Sequence, residues 1–276
     1  MKDWAKRIRR RLGTRSPEAR NSLELPPVSL KRLEDWRLLD LDLKEWSRAA
    51  LSVEARSWLY EQGSQGDLVR EIVPGLFELQ GFFDASWWSR LAEEIRRVCD
   101  WTAAENVLTQ PPNSMHYGGF ELAPLGLDTM VDQLSCDLIT PLARRLYPDR
   151  EWPELSDGHG FLADYGPGAD RDLSLHVDDS DVTLTLCLGE EFEGSEVVFE
   201  GIRCPLHQQS IHRPEERVFV TPTPGVALVH LGAHRHRVAP LLRGTRQSLI
   251  VWARGLHTQD QRMGIGLSDC PDWCDE

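Results

Sequence analysis

From about residue 160 to residue 254 the chain is written in short apolar, β-branched runs separated by turn signals. Many short strands with regular turns commit a chain to a sandwich or a barrel. Val182-Thr183-Leu184-Thr185-Leu186-Cys187-Leu188 alternates with period two and reads as a buried strand. Residues 195–200 read as another. Pro224-Gly225 turns the chain into an apolar run over 226–230. His234-Arg235-His236-Arg237-Val238 follows, and after a turn at Gly244 comes Arg246-Gln247-Ser248-Leu249-Ile250-Val251-Trp252.

Chemistry-bearing residues fall inside this pattern. In His176-Val177-Asp178 an extended backbone puts the imidazole and the carboxylate on one face, because strand side chains alternate. A second imidazole from a neighbouring strand completes two His and one carboxylate, the ligand set of a facial iron(II) site with open positions. His230, His234 and His236 compete for that place, and all three share a parity. Arg246 lies ten residues after His236, a distance that suits the next strand of a hairpin. Its guanidinium can grip a carboxylate with two parallel hydrogen bonds, which Lys cannot do.

These residues carry a resemblance. Residues 160–254 resemble the double-stranded β-helix domain of 2-oxoglutarate- and iron(II)-dependent dioxygenases, in the prolyl 4-hydroxylase and lysyl hydroxylase branch. Asp164-Tyr165-Gly166-Pro167-Gly168 is similar to the strand that leads to His-x-Asp in that family, and His236-Arg237-Val238-Ala239-Pro240 with Gly244-Thr245-Arg246 is similar to its distal motif. A wider likeness takes in Pro112-Asn113-Ser114-Met115, Tyr117-Gly118, Cys270-Pro271 and Cys274. It is to a group named only as 2-oxoglutarate- and iron-dependent oxygenase domain-containing proteins.

The resemblance implies an α+β protein, with a jelly-roll core and flanking N-terminal helices. It selects His236, by its spacing to Pro240 and Arg246, as third ligand to iron(II) beside His176 and Asp178. It assigns Arg246 to the distal carboxylate of 2-oxoglutarate, with Tyr165 and Thr185 as hydrogen-bond partners. His230 is then a core residue or one behind a ligand, and His234 a solvated residue or one behind a ligand. Asn113 and Tyr117 are candidates for the substrate side. Three positions depart from the family. Thr185 stands where the lysyl hydroxylase branch has Asn, Cys187 where oxygen-sensing prolyl hydroxylases carry Tyr, and Gly194-Ser195 where Gly-Gly is common.

The implied reaction is hydroxylation of a peptide or protein side chain, with O2 consumed, succinate and CO2 released, and L-ascorbate as reductant. A small metabolite is the runner-up substrate. A metal-binding β-helix that serves only as a binding module is the reading from another class. Asp178 speaks against halogenation, since halogenases of the superfamily lack that carboxylate. Nucleic-acid demethylases of the superfamily carry a second Arg six residues after the first, where Trp252 stands here.

Charge agrees with setting nucleic acid aside. The chain of 276 residues has a net charge of −13. Residues 1–24 hold eight Lys/Arg and three acidic residues, so the body is more acidic still and disfavours a phosphate backbone. The basic tail, with Trp4, Ile8 and Leu12 on one helical face, suits an acidic partner or a membrane surface; a transit-peptide reading fits Asp3 poorly. No stretch approaches the length of a membrane span, and six scattered Cys show no disulfide rhythm, which favours a reducing, cytoplasmic setting. His116, His159, His207, His212 and His257 read as ordinary surface or packing residues.

Four segments are expected: a basic tail over 1–27, a helical segment over 28–70, the oxygenase domain over 71–258 and a Cys-containing tail over 259–276. Within them, residues 30–59 read as two helices broken near 40–42, and 72–77 as a strand. A helix over 87–98 is capped by Asp84 or Ser86. Residues 111–117 form a loop. An amphipathic helix over 129–146 is interrupted at Pro141.

Overall fold

The computed structural model describes residues 31–255, apart from Ser114, Glu190 and residues 204–206. The basic tail, Cys204, His257, Cys270 and Cys274 lie outside the described residues. Three 3-10 turns (Leu33–Asp35, Leu41–Lys44, Arg48–Ala50) lead into helix α1 (Val53–Tyr60). The hairpin β1 (Val69–Val73) and β2 (Leu76–Leu79), helix α2 (Ala85–Glu105) and the short β3 (Phe120–Glu121) follow. Helix α3 (Asp128–Gln133), a π-helical turn (Leu134–Ile139) and α4 (Thr140–Leu146) form one continuous run. Then come β4 (Asp157–Tyr165), β5 (Leu173–His176), β6 (Val182–Cys187), β7 (Phe192–Gly194) and β8 (Val197–Ile202). The last strands are β9 (Arg217–Val220), β10 (Ala227–Leu231), β11 (His234–Val238), β12 (Leu241–Gly244) and β13 (Arg246–Arg254).

One sheet has the order β1-β2-β10-β6-β13-β4-β3 and a second the order β5-β11-β8-β9, while β12 pairs with β7. Among the described residues every pairing between these strands is antiparallel. From β4 onward the chain winds between the two large sheets, with β4, β6, β10 and β13 in the first and β5, β8, β9 and β11 in the second. That winding is the double-stranded β-helix.

Period-two alternation divides the first sheet into two faces. Leu184 and Leu186 of β6, Ala227 and Val229 of β10, and Leu249, Val251 and Ala253 of β13 join the core that contains Leu91, Ile95 and Val98 of α2 and Leu134 and Leu138 of the π turn. The opposite parity (Thr185, Leu228, His230, Arg246, Ile250 and Trp252) lines a cleft together with residues of the second sheet. The largest apolar cluster thus sits between sheet and helices, and the sandwich interior combines smaller apolar clusters with the polar groups of the cleft.

Several sequence expectations need correction. Residues 31–50 are 3-10 turns and extended chain in place of the expected helices. Asp40 accepts from the Asp42 amide and from Arg90 of α2, and Glu94 of α2 accepts from the Trp36 indole and the Leu39 amide. Side-chain partners thereby take up backbone groups that an α-helix would use. The apolar residues Leu33, Leu43, Trp46 and Ala50 still bury. The strand expected over 72–77 is instead a hairpin that turns at Pro74-Gly75, where Gly75 has φ of 81°. Arg246 does not share a hairpin with His236, because β12 and a change of sheet intervene.

Pro141 does not break its helix. The Thr140 amide bonds five residues back to Ser135, which opens the π turn. The Asp137 carbonyl, four residues before the proline and so without its usual donor, accepts from the Tyr60 hydroxyl.

Asp84 and not Ser86 caps α2, since Asp84 Oδ1 accepts from the Ser86 and Trp87 amides at 3.0 and 3.1 Å. We expect Asp84→Ala to lower stability by about 0.5–2 kcal/mol. Ser86→Ala should stay within about 0.5 kcal/mol of the parent. Urea denaturation of both variants measures the difference, and equal costs would contradict the assignment.

Candidate metal centre and co-substrate pocket

The structure brings His176, Asp178 and His236 together, with one ligand atom from each lying within 4.8 Å of the others. His176 ends β5 and faces His236 of β11 across the ladder. Asp178 lies just past the strand, held by its amide on the Gly232 carbonyl at 3.0 Å. Asp178 Oδ1 is 3.6 Å from His176 Nε2 and 3.7 Å from His236 Nε2.

Backbone carbonyls set the tautomers. His176 Nδ1 is 2.7 Å from the Ser174 carbonyl, and His236 Nδ1 is 3.0 Å from the His234 carbonyl. Each Nδ1 must carry its proton there, which leaves an Nε2 lone pair for the centre. Burial and the nearby His236 hold His176 below the ordinary imidazole value. Burial would raise the Asp178 carboxyl, but His236, His230, His176 and the Thr183 hydroxyl outweigh it and keep it below the ordinary aspartate value. Two imidazoles that turn Nε2 to the centre and one carboxylate are a donor set that fits a divalent cation.

The competing histidines are separated by geometry. His234 is buried with neither ring nitrogen hydrogen-bonded, and its ring packs on Phe199 at 5.0 Å. It is a packing residue and not a solvated one. His230 lies behind Asp178, with Nε2 3.7 Å from Oδ2, and burial pushes its pKa down to about 4. The ring of His236 stacks on Phe199 at 5.4 Å.

Beside the triad opens a cleft that His176, Asp178 and His236 themselves help to line. Tyr165, Thr185, Arg246, Pro112, Asn113 and Met115 are among its walls. Arg246 is 2% exposed, and its Nη1 donates to the Ser195 carbonyl at 2.7 Å. Its guanidinium lies 4.5 Å over the Tyr165 ring, and Nε has no partner. Burial pulls its pKa below the ordinary guanidinium value. Among the described residues no carboxylate forms an ion pair with it. A buried cation without an anion is costly, and a carboxylate ligand would relieve that cost.

Two features escaped the sequence reading. Ser248, two residues after Arg246 and on the same strand face, has a buried hydroxyl with no partner and lines a smaller cavity that shares the Arg246 wall. Its parity with Arg246 was the available signal. Asp170 is the other. Its Oδ2 accepts from the His116, Tyr117 and Gly118 amides at 3.0, 2.9 and 2.9 Å. It thereby pins the loop that brings Asn113 and Met115 into the cleft. Tyr117 itself points outward and is 75% exposed.

Against this geometry, residues 49–151 match the model of the OGFOD2-like domain. The chain is 34% identical over 204 residues to 2-oxoglutarate and iron-dependent oxygenase domain-containing protein ICU11 of Arabidopsis thaliana, covering 74% of this chain and 51% of that one. It is 32% identical over 167 residues to 2-oxoglutarate and iron-dependent oxygenase domain-containing protein 2 of Homo sapiens, covering 60% of this chain and 44% of that one. The chain is a homologue of these oxygenase-domain proteins. It spans about half the length of the curated relatives it matches. A solved prolyl-4-hydroxylase of Pseudomonas putida is similar with a TM-score of 0.47 and 22% identity, covering 67% of this chain and 95% of that one.

The loop anchor has a measurable consequence. Burial would raise the Asp170 carboxyl, but the Tyr117, Gly118 and His116 amides and the His116 ring hold it below the ordinary aspartate value of 3.8. A depressed carboxylate stabilises the fold above the unfolded pKa, and that contribution is lost as pH falls through the folded value. Asp170→Ala should cost roughly 1.5–3 kcal/mol, and hydrogen exchange at the Tyr117 and Gly118 amides should speed up. In the parent the same amides should lose protection only once the pH falls below 3.8. Unchanged exchange in the variant would mean that the loop is held by other contacts.

Proposed function

We propose that the protein is an iron(II)- and 2-oxoglutarate-dependent dioxygenase that hydroxylates a peptide or protein side chain. The observation that carries the co-substrate is the buried, carboxylate-free guanidinium of Arg246 in a cleft that also contains the triad. A metal-binding barrel without a carboxylate ligand has no use for such a group. The names of the homologues agree with this reading.

His176 Nε2, Asp178 Oδ1 and His236 Nε2 would hold iron(II), each with its lone pair turned to the centre. Arg246 would take the distal carboxylate of 2-oxoglutarate in a two-pronged grip, with its remaining Nη1 bond to the Ser195 carbonyl fixing the plane of the fork. Tyr165 would stack against that fork, and Thr185 would donate one hydrogen bond where the lysyl hydroxylase branch has an Asn amide. Iron(II) with 2-oxoglutarate and O2 supplies the oxidising power for an unactivated C–H bond, with succinate and CO2 released and ascorbate keeping the metal reduced. The protein contributes position and a dry, apolar wall of Met115, Phe161, Ile250 and Val238. Asn113 and Met115, set by Asp170, would face the substrate. The peptide assignment follows the resemblance to prolyl and lysyl hydroxylases.

His176→Ala and Asp178→Ala should each lose stoichiometric iron(II) under anaerobic conditions. Arg246→Lys and Arg246→Ala should keep iron while 2-oxoglutarate affinity falls in that order. Truncating one partner of a charge-assisted pair in a dry pocket costs roughly 2–5 kcal/mol, on the order of 30- to several-thousand-fold. Calorimetry measures both events. The intact protein with iron, 2-oxoglutarate and ascorbate should form succinate, and peptide pools should gain the mass of one oxygen atom. Parent-like 2-oxoglutarate binding by Arg246→Ala would remove the co-substrate assignment. Oxygen gain by metabolites but no peptide would move the substrate class.

A further inference from the structure

We propose that Thr183 is a positioning residue that keeps Asp178 a one-oxygen ligand, so that the open face of the metal stays open. The inference rests on the reading of the triad as a metal site. The two carboxylate oxygens of Asp178 have different surroundings. Oδ1 faces the Nε2 atoms of His176 and His236. Oδ2 is turned away and accepts from Thr183 Oγ1 at 2.6 Å. Thr183 is 1% exposed and sits on β6, on the strand face that looks into the sandwich.

The direction of this bond is fixed by chemistry. An ionised carboxylate only accepts, so Thr183 donates. Its single proton is then used. Ser180 Oγ, 2.8 Å from Thr183 Oγ1, must therefore be the donor of their shared bond. Ser180, Thr183 and Asp178 form a one-way chain that ends on Oδ2.

No other side chain can replace it. His230 Nε2 is 3.7 Å from Oδ2, beyond hydrogen-bond reach. Its Nδ1 lies 2.9 Å from the Leu231 carbonyl, which holds the ring in that position. Among the described residues the Thr183 hydroxyl is the one side-chain hydrogen-bond donor on Asp178. A carboxylate that loses it is left with a buried, unsatisfied oxygen. Carboxylates bind metals through one or both oxygens, and turning the second oxygen onto the metal satisfies it. That turn would take a coordination position from the open face of a three-ligand site.

The test uses the full chain and Mn(II) alone. Water-proton relaxation reads the exchangeable waters on bound Mn(II). Thr183→Val keeps the side-chain shape without the hydroxyl, and Thr183→Ser keeps the hydroxyl. In Thr183→Val the relaxation enhancement should fall by about a third, as one of three open positions is lost. Thr183→Ser should match the parent. Added 2-oxoglutarate should bind Mn(II)-loaded Thr183→Val about tenfold or more weakly, a difference of about 1.4 kcal/mol. Parent-like relaxation in Thr183→Val overturns the proposal, and so does loss in Thr183→Ser equal to that in Thr183→Val.

If circular dichroism shows Thr183→Val unfolded, Ser180→Ala is read in the same assays. It removes the donor that orients Thr183, and a smaller shift in the same direction is expected. No shift there overturns the proposal. A parent that binds Mn(II) but not 2-oxoglutarate would sink the co-substrate reading, and the relaxation arm would still decide Thr183. A parent that binds no Mn(II) sinks both.

Discussion

The arrangement of this molecule depends on one uncompensated charge. Arg246 places a guanidinium inside a β-sandwich with a backbone carbonyl and an aromatic face as its partners. An apolar sandwich interior could not hold it, because an isolated buried cation costs far more than one hydrogen bond returns. The interior is accordingly not the main core. The large apolar cluster lies on the other side of the seven-stranded sheet, against α2 and the helical run over 128–146. Displacing the core to the helix side leaves the space between the sheets for a ligand that brings the missing negative charge.

Ser195 shows how a local departure serves this arrangement. It has φ of +62°, a region that favours glycine, and its hydroxyl is buried without a partner. Both features are unfavourable for a serine. Its carbonyl, however, is the acceptor for Arg246 Nη1. The backbone turn after β7 therefore does more than reverse the chain. It aims a carbonyl into the sandwich, and a serine at this position keeps that carbonyl in place. The change is a strained variant of the expected turn and gives no support to an inactive barrel.

Much of this was legible in the sequence because strand parity is a strict rule. The alternation of polar and apolar residues along residues 182–188 and 246–252 places side chains on faces, whereas Asp178 lies past the end of β5 and is placed by its amide bond to the Gly232 carbonyl. The double-stranded β-helix came from linked motifs, not from alternation, which only indicates a sandwich or barrel. The helical segments were read less well. Residues 30–50 have helical apolar spacing, yet their backbone follows Asp40, Arg90 and Glu94, whose partners lie about fifty residues away in sequence. Such bonds leave no trace in a local pattern. Asp170 was invisible for a similar reason, since three loop amides more than fifty residues upstream define its role. The hairpin expected between His236 and Arg246 failed because ten residues suit one turn as well as a short extra strand.

Parity alone also could not choose among His230, His234 and His236, and the reason is physical. The ladder between β11 and β8 shifts register between His234 and His236, pairing His234 with Ile202 and His236 with Phe199. One residue of β11, Arg235, thus lies opposite two of β8, Glu200 and Gly201, an irregularity that bends β8 and re-aims its side chains, Phe199 among them. Phe199 meets all three imidazoles, at 5.2 Å for His230, 5.0 Å for His234 and 5.4 Å for His236. It stacks on His236 and presents an edge-on geometry to the other two. One ring therefore sorts three histidines of the same parity. The histidine stacked on it turns Nε2 to Asp178 Oδ1, His230 is left behind Oδ2, and His234 is confined to the packing. The bulge and the phenylalanine together turn one imidazole of β11 to Asp178 and leave the other in the packing.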